Sequence, residues 1–452
     1  MSLKPKTNYF DPESLKNSLI EISDKHSDSF GNSSLNSIIN SDVKIQILSK
    51  RCLDGDYNFS PYSLKLFMKG RGRPPREISI PSLQDQAVLK SLDKTLKTSC
   101  AIDNSTKLAF FIVKDLKDFL TTNSDNLKVM RIDIQKYFDE IKHDILLDKI
   151  KEKKCEGYID QIVQKAISTP AVEKGFKADE KKTIGIPQGI SISSHLADLY
   201  LEDFDLNLKK YCARSYRYVD DVLILYKEYQ EGSLESYIAK AFEGLDIEHH
   251  KEGSKFYKND LFYEYGFDFL GYNFFATAKE LKASIRPATE QKFINSLIAL
   301  IGTYRKGRYH LRYQDSILAL KVFQYDLNEK ITGAFKGGRR YGWLWYFRQM
   351  NDLSLLDKVD KIIKRELNKD KNTKKLRVKR LKRTFYEIEN FSSNNSYILD
   401  YGLTDIGKIR RLYSDMDANI RKAKSDAGVL AAFNHFTNNR LRRLALDEVR
   451  ES

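Results

Sequence analysis

Two short apolar runs carry aspartates where a strand must end or bend. LKVMRIDI (127–134) reads as a strand closing on Asp133, and RSYRYVDDVLILY (214–226) as a hairpin whose two apolar runs flank Asp220 and Asp221. Aspartates this far apart in the chain converge only if their strands are neighbours in one sheet. Converged carboxylates repel one another, so they need a divalent cation between them. A YxDD tetrapeptide alone arises by chance in about one chain of this size in ten, so the surrounding segments decide the reading.

Those segments alternate between extended and helical patterns. Residues 27–41, rich in Ser and Asn, read as a loop or variable leader. Residues 56–82 read as extended chain around a basic turn broken by Gly70, Gly72, Pro74 and Pro75. Helical spacing is predicted for 83–97, 138–150, the long amphipathic stretch after the turn GIPQG (185–189), and 234–244. FDFLGYNFF (267–275) reads as one strand, and from about residue 288 the chain reads as mostly helical, with no repeat of fixed period.

Read in order, the segments resemble the reverse transcriptase family. RIDIQKYFDEI resembles the first palm motif, GIPQGISISSHLADLYL the second, YVDD the third and LDIEHHK the fourth. FLGYNF resembles the primer grip, and REISIPSLQDQAVLKSL the fingers segment upstream, so the likeness spans about residues 69–274. It implies an α+β right-hand polymerase with a split-βαβ palm and fingers, a helical thumb and a basic helical C-terminal module. The expected divisions are a leader over 1–55, fingers and palm over 56–284, thumb over 285–350 and the basic module over 351–452.

The resemblance also implies roles. Asp133 and Asp220 would hold two Mg²⁺ ions, with Mn²⁺ as a substitute, supported by Asp221 and the backbone carbonyl of Ile134. Such ions activate a 3′-hydroxyl and neutralise the leaving pyrophosphate. Phe138, five residues after Asp133, falls at the steric gate that crowds a ribose 2′-hydroxyl. Gln188 and Gly189 would meet the incoming nucleotide, and Lys69 and Arg76 would reach its triphosphate from the fingers. Lys251 would be the general acid for pyrophosphate, and Gly271 and Tyr272 would form the primer grip. His143 and His195 read as structural. The sequence departs from the family pattern at Ser191 and Ser194, where proline is common, at Asp198, where asparagine is common, and at Glu252, where threonine usually follows the lysine.

Charge placement adds a polyanion partner. The net charge is +15, and residues 301–452 hold 33 Lys and Arg against 18 acids, so the whole excess sits in the last third. YRKGRYHLRY places Arg305, Lys306 and Arg308 among aromatic residues. KDKNTKKLRVKRLKR (369–383) has nine basic residues, including Lys374, Lys375, Arg377, Lys379, Arg380, Lys382 and Arg383. Trp343 and Trp345 read as core. The four cysteines, with no CxxC pair, read as reduced thiols in a cytoplasmic protein, and no apolar run is long enough for a membrane span.

The expected activity is therefore RNA-directed DNA synthesis from deoxynucleoside triphosphates, with an RNA template or noncoding RNA as partner and DNA as product. The Ser-substituted second motif and helical tail most resemble bacterial antiviral defence reverse transcriptases. Retron or group II intron relatives, and template-independent or protein-primed synthesis on Tyr397, Tyr401 or Tyr413, are the alternatives. A non-enzymatic RNA-binding module has no need of three aspartates. Homo-oligomerisation is left open.

Overall fold

The computed structural model describes residues 9–25, 32–68, 74–98, 100, 109–123, 126–173, 181–251, 256–260, 266–277, 280–392 and 396–449. The chain forms two compact units, one of Met1–Thr106 with Asn126–Asn259, the other of Lys107–Asp125 with Asp260–Ser452. The fold is α+β, as the resemblance implies.

The first unit holds two sheets. Strands β1 (Tyr62–Phe67) and β2 (Arg76–Ile80) pair antiparallel. The larger sheet contains β3 (Leu127–Asp133), while the two-residue β4 (Ala171–Val172) joins β1 in parallel. With β5 (Arg214–Tyr218), β6 (Asp221–Lys227) and β7 (Phe256–Asp260), the second sheet has the order β5-β6-β3-β7. Period-two alternation sends Met130, Ile132, Val222, Ile224 and Tyr226 into one core with the surrounding helices. Helix Leu83–Thr98 contributes Val88, Leu89, Leu92 and Leu96, and helix Pro12–Lys25 contributes Leu15, Leu19 and Ile22. The two helices also share a buried bond from Ser91 Oγ to Ser18 Oγ at 3.0 Å.

A buried acid fixes the start of helix Leu83–Thr98. Asp85 is 1% exposed and accepts from the Tyr57 hydroxyl at 2.6 Å, the Ser82 hydroxyl at 2.7 Å and the Ser60 N–H at 3.3 Å. Its own N–H donates to Ser82 Oγ, a reciprocal cap.

Several local expectations are corrected. The Ser/Asn-rich segment contains a helix, Asn32–Ile39, because Leu35 has a core to enter. The helix expected at 138–150 is two, Tyr137–Glu140 and His143–Glu152. The break at Ile141 and Lys142 is extended because the Ile141 carbonyl accepts the Gly185 N–H and Lys142 bridges to Ile184. The long helix after GIPQG splits at Leu201 into Ser193–Tyr200 and Glu202–Leu208. The cysteines also differ. Cys100 and Cys155 form a disulfide, 55 residues apart and so without a local spacing signal. Cys52 and Cys212 are buried thiols pushed by burial up to about 12 and about 11, which makes them poor nucleophiles.

In the second unit, the expected single strand 267–275 is a hairpin of β8 (Phe267–Phe269) and β9 (Tyr272–Ala276). Its two-residue turn puts both Leu270 (φ 49°) and Gly271 (φ 79°) in the left-handed region, as a twisted tight hairpin requires. Strand β10 (Leu281–Ile285) completes that sheet. A second hairpin, β11 (Ala334–Lys336) and β12 (Arg339–Tyr341), pairs with β13 (Leu399–Asp400). Around them lie helices Pro287–Arg305, Ser316–Thr332, Ser354–Leu367 and Asp426–Val449. Trp343 and Trp345 are buried, with Trp343 stacked on Phe293 at 3.9 Å. Among the described residues no helix is long and apolar enough to cross a membrane.

Asp85→Ala should lower the unfolding free energy by about 1–3 kcal/mol, because it strands the buried Tyr57 hydroxyl. A thermal or urea melt of the full chain that matches the parent would contradict this.

Candidate active site

The β3–β6 ladder assembles the site. Its pairing runs from Leu127↔Lys227 to Asp133↔Asp221, so the last residue of one strand lies opposite the first of the other. Residues directly opposite in an antiparallel pair project to the same face. The ladder continues one step further, where the Ile134 N–H donates to the Asp220 carbonyl at 3.0 Å. The Ile134 carbonyl, on the same side of its extended backbone as that N–H, also faces the β5–β6 turn.

That turn is Val219 and Asp220, because Tyr218 already pairs with Asp221. Val219 has φ 59°, a backbone region that a β-branched residue rarely adopts. Such a conformation costs on the order of 1–3 kcal/mol and persists only where its surroundings enforce it. Arg217 does so from beneath. Its Nη1 donates to the Val219 carbonyl at 3.1 Å, while the guanidinium is held by Asp198 at 2.7 Å and by Asp205 at 2.6 Å. Burial pulls the Arg217 pKa down, but the bonds and charge of Asp205, with Asp198, more than offset it and raise it above the ordinary value. Asp198, the departure from the family's asparagine, is thus the charge partner of an arginine that holds the YVDD turn.

The three acids are not equivalent. Asp221 receives a bidentate clamp from Arg131, Nε to Oδ1 at 2.8 Å and Nη2 to Oδ2 at 2.7 Å, with both side chains largely buried. Arg131 stands two residues before Asp133 and so on the same face of β3. Asp133 has a different neighbour. The His250 N–H donates to its carbonyl at 3.0 Å, and His250 Nε2 lies 3.4 Å from its Oδ1.

This donor set suits magnesium. Asp133, Asp220 and the Ile134 carbonyl are hard oxygen donors, and Mg²⁺ is commonly held by one or two carboxylates completed by water and substrate phosphates. Among the described residues no group of three or more His, Cys, Asp or Glu side chains forms a ready cage.

The GIPQG turn is stitched to its surroundings through backbone. The Ile186 N–H donates to the Phe138 carbonyl at 2.7 Å, and the Gly185 carbonyl accepts from the buried His143 ring at 2.7 Å. The Gln188 carbonyl accepts the Ser79 N–H of β2 at 2.7 Å. Gly189 has φ 109°, and a Cβ there would lie 2.7 Å from Ile78 Cγ2 and 2.8 Å from the Ser79 carbonyl. Only glycine allows β2, which carries the exposed Arg76, to come this close. Phe138 is half-buried, edge-on to Tyr137. Lys251 is exposed immediately after His250, and Lys69 lies outside the described residues.

Other expected residues lie in the second unit. Gly271 occupies the β8–β9 turn, and Tyr272 is buried with its hydroxyl donating to the Tyr346 carbonyl at 2.7 Å. Arg305 bonds Glu366 at 3.1 Å, Lys382 bonds Asp357 at 2.7 Å, and Lys379 reaches the Tyr397 carbonyl. Lys306, Arg308, Lys374, Lys375, Arg377, Arg380 and Arg383 are exposed. Tyr401 and Tyr413 are buried.

Sequence reading missed Arg131, Arg217 and His250. Strand alternation could have flagged Arg131, which lies at i−2 from Asp133. Arg217 gave no such signal, because its partners come from helices before the hairpin.

Arg217→Met should cost about 3–5 kcal/mol of stability, since it leaves Asp198 and Asp205 without their cation; an unchanged melting curve would remove the role given to Arg217. His143 supplies a pH test. Burial holds its pKa below the ordinary 6.5, against the opposing pull of the Gly185 carbonyl. Its stabilisation is complete above 6.5 and is lost as pH falls through the depressed value. His143→Gln should therefore flatten the fall in melting temperature below about pH 6.5, and a parallel pH profile would count against it.

Residues 69–274 match the family described as reverse transcriptase (RNA-dependent DNA polymerase). The protein YkfC of Escherichia coli strain K12 is 25% identical over 174 residues, a match covering 36% of this chain and 45% of YkfC, so the likeness spans less than half of that relative. Among solved structures, telomerase from Candida albicans in complex with a fragment of telomeric RNA aligns with TM-score 0.43 and 15% identity, over 72% of this chain and 65% of that one. Apo telomerase from Candida tropicalis aligns with TM-score 0.37 and 14% identity, over 55% and 67%. The family match covers residues 69–274, a little under half of the chain, and takes in the acid-bearing β5-β6-β3-β7 sheet, so this segment is similar to a reverse transcriptase domain.

Proposed function

We propose that the chain extends a DNA 3′ end on an RNA template, in a bacterial cytoplasm, as part of antiviral defence with a partner noncoding RNA. The observation that carries the polymerase reading is the register Asp133↔Asp221, which sets Asp133 beside the Asp220 turn. The Ser-substituted second motif and the basic helical tail support the defence assignment. The E. coli relative fits a bacterial setting.

In this reading Asp133, Asp220 and the Ile134 carbonyl hold two Mg²⁺ ions, or Mn²⁺ in their place, and Asp221 supports the site through its pair with Arg131. When bound, the ions supply Lewis acidity to the primer hydroxyl and charge neutralisation at the leaving pyrophosphate. Arg76 and Lys69 orient the triphosphate, and Gln188 with Gly189 forms the floor under the nucleotide. Phe138 excludes the ribose 2′-hydroxyl, and Lys251 donates a proton to pyrophosphate. Gly271 and Tyr272 shape the primer grip, Tyr272 by supporting the turn from the core. Thumb residues 285–350 and the module 351–452 follow the leader 1–55 and the polymerase region 56–284. The exposed cations among Arg305, Lys306, Arg308 and the 369–383 run bind the nucleic-acid backbone.

The test is incorporation of labelled deoxynucleotides by the purified chain on a primed RNA with Mg²⁺. Asp133→Ala should reduce it by on the order of 1,000-fold, several kcal/mol at the transition state. RNase-resistant synthesis without template would favour template-independent or protein-primed polymerisation, and equal synthesis by Asp133→Ala would sink the assignment. Phe138→Ala should admit ribonucleotides; unchanged sugar discrimination would remove Phe138 as the gate.

A further inference from the structure

The second unit contains a cavity of about 330 Å³, of whose lining the polymerase reading uses Arg308 alone, as a nucleic-acid backbone contact. Its walls come from three helices, Pro287–Arg305, Ser316–Thr332 and Asp426–Val449, and from the short helix Arg308–Tyr313. The floor is a fixed polar network. Arg440, 11% exposed, bonds Asp326 at 2.5 Å and Glu329 at 2.7 Å. The Tyr309 hydroxyl donates to Asp326 at 2.7 Å, and the Tyr401 hydroxyl donates to Glu329. Both floor carboxylates are therefore occupied from within, and their charge is directed to Arg440 rather than to the rim.

The rim is basic. Arg308, Arg312 and Arg443 are exposed around the opening, and Lys330 joins them. Counting every charged lining residue gives five cations against two acids, a net charge of +3. The size is that of a small-ligand site. A concave site this positive, with a tyrosine ring in its wall, matches a phosphate beside a planar base. Guanidinium groups grip phosphate oxygens bidentately, and aromatic rings accept bases without regard to sequence.

We infer that this cavity binds one nucleotide unit through its phosphate, on Arg308, Arg312 and Arg443, as a specific seat outside the polymerase domain. The unit is either a free nucleotide or one residue of a single-stranded nucleic acid. The site stands whether or not the chain synthesises DNA, so its test uses binding alone.

The experiment measures fluorescence anisotropy of a labelled ten-nucleotide oligoadenylate with the full chain over a salt series. The Arg308→Glu/Arg312→Glu/Arg443→Glu variant is compared with Lys374→Glu/Lys375→Glu, which lies outside the cavity. Losing the one phosphate neutralised there should reduce the slope of log affinity against log salt by about 0.7. The three substitutions should also weaken binding by roughly 100-fold at low salt, well beyond the control variant. Arg443→Glu alone should give an intermediate loss, and circular dichroism melts check that each variant is folded. AMP competing with the oligonucleotide in the parent, but not in the triple variant, would identify a free nucleotide as sufficient. Competition only by longer oligonucleotides would identify the strand as the ligand. A folded triple variant whose affinity and slope match the parent, or that loses no more than the control, overturns the inference.

Discussion

The register between β3 and β6 is the constraint on which the site depends. Side-chain direction alternates along a strand, so a one-residue slip would move Asp133 and Arg131 to the face that holds Met130 and Ile132. The slip is opposed by Met130, Ile132, Val222, Ile224 and Tyr226, all at most 2% exposed and in one core. Burial of a single large apolar side chain is worth about 1.5–3 kcal/mol, so this packing holds the two strands together against the repulsion of the acids. The hydrophobic pattern thus places the charges, and the charges then need partners.

Those partners divide the labour among the acids. Arg131 clamps Asp221 within the sheet, while the backbone carbonyls of Asp220 and Asp133 accept the N–H groups of Ile134 and His250. Arg217 acts one layer below, tying the strained Val219 carbonyl to Asp198 and Asp205. Each arginine offsets one consequence of crowding acids at a strand end, the first electrostatic and the second conformational. The GIPQG turn joins the same assembly through backbone bonds to Phe138 and Ser79, so Phe138 and the Arg76 strand share a single support.

Much of this was legible in the sequence where the signal was local. The strands ending at Asp133 and bending at Asp220 follow from their short apolar runs, and the helix Leu83–Thr98 from its apolar spacing. What failed to show was set by distant partners. The break at Ile141 depends on Gly185, 44 residues on, and the Cys100–Cys155 disulfide joins residues 55 apart. Leu270 at positive φ violates its own preference because the hairpin turn imposes it, and so a hairpin looked like one strand. Part of the basic run behaves similarly. Lys379 and Lys382, expected at a nucleic-acid surface, are engaged by Tyr397 and Asp357.

The division between the acids is tested most directly by comparing nucleotide incorporation by Asp220→Asn and Asp221→Asn under one set of Mg²⁺ conditions. Asp220→Asn should lose on the order of 1,000-fold, whereas Asp221→Asn, whose oxygens already face Arg131, should retain activity within about tenfold of the parent. Equal losses, or a greater loss at Asp221, would contradict the central role given to the Asp133 and Asp220 pair.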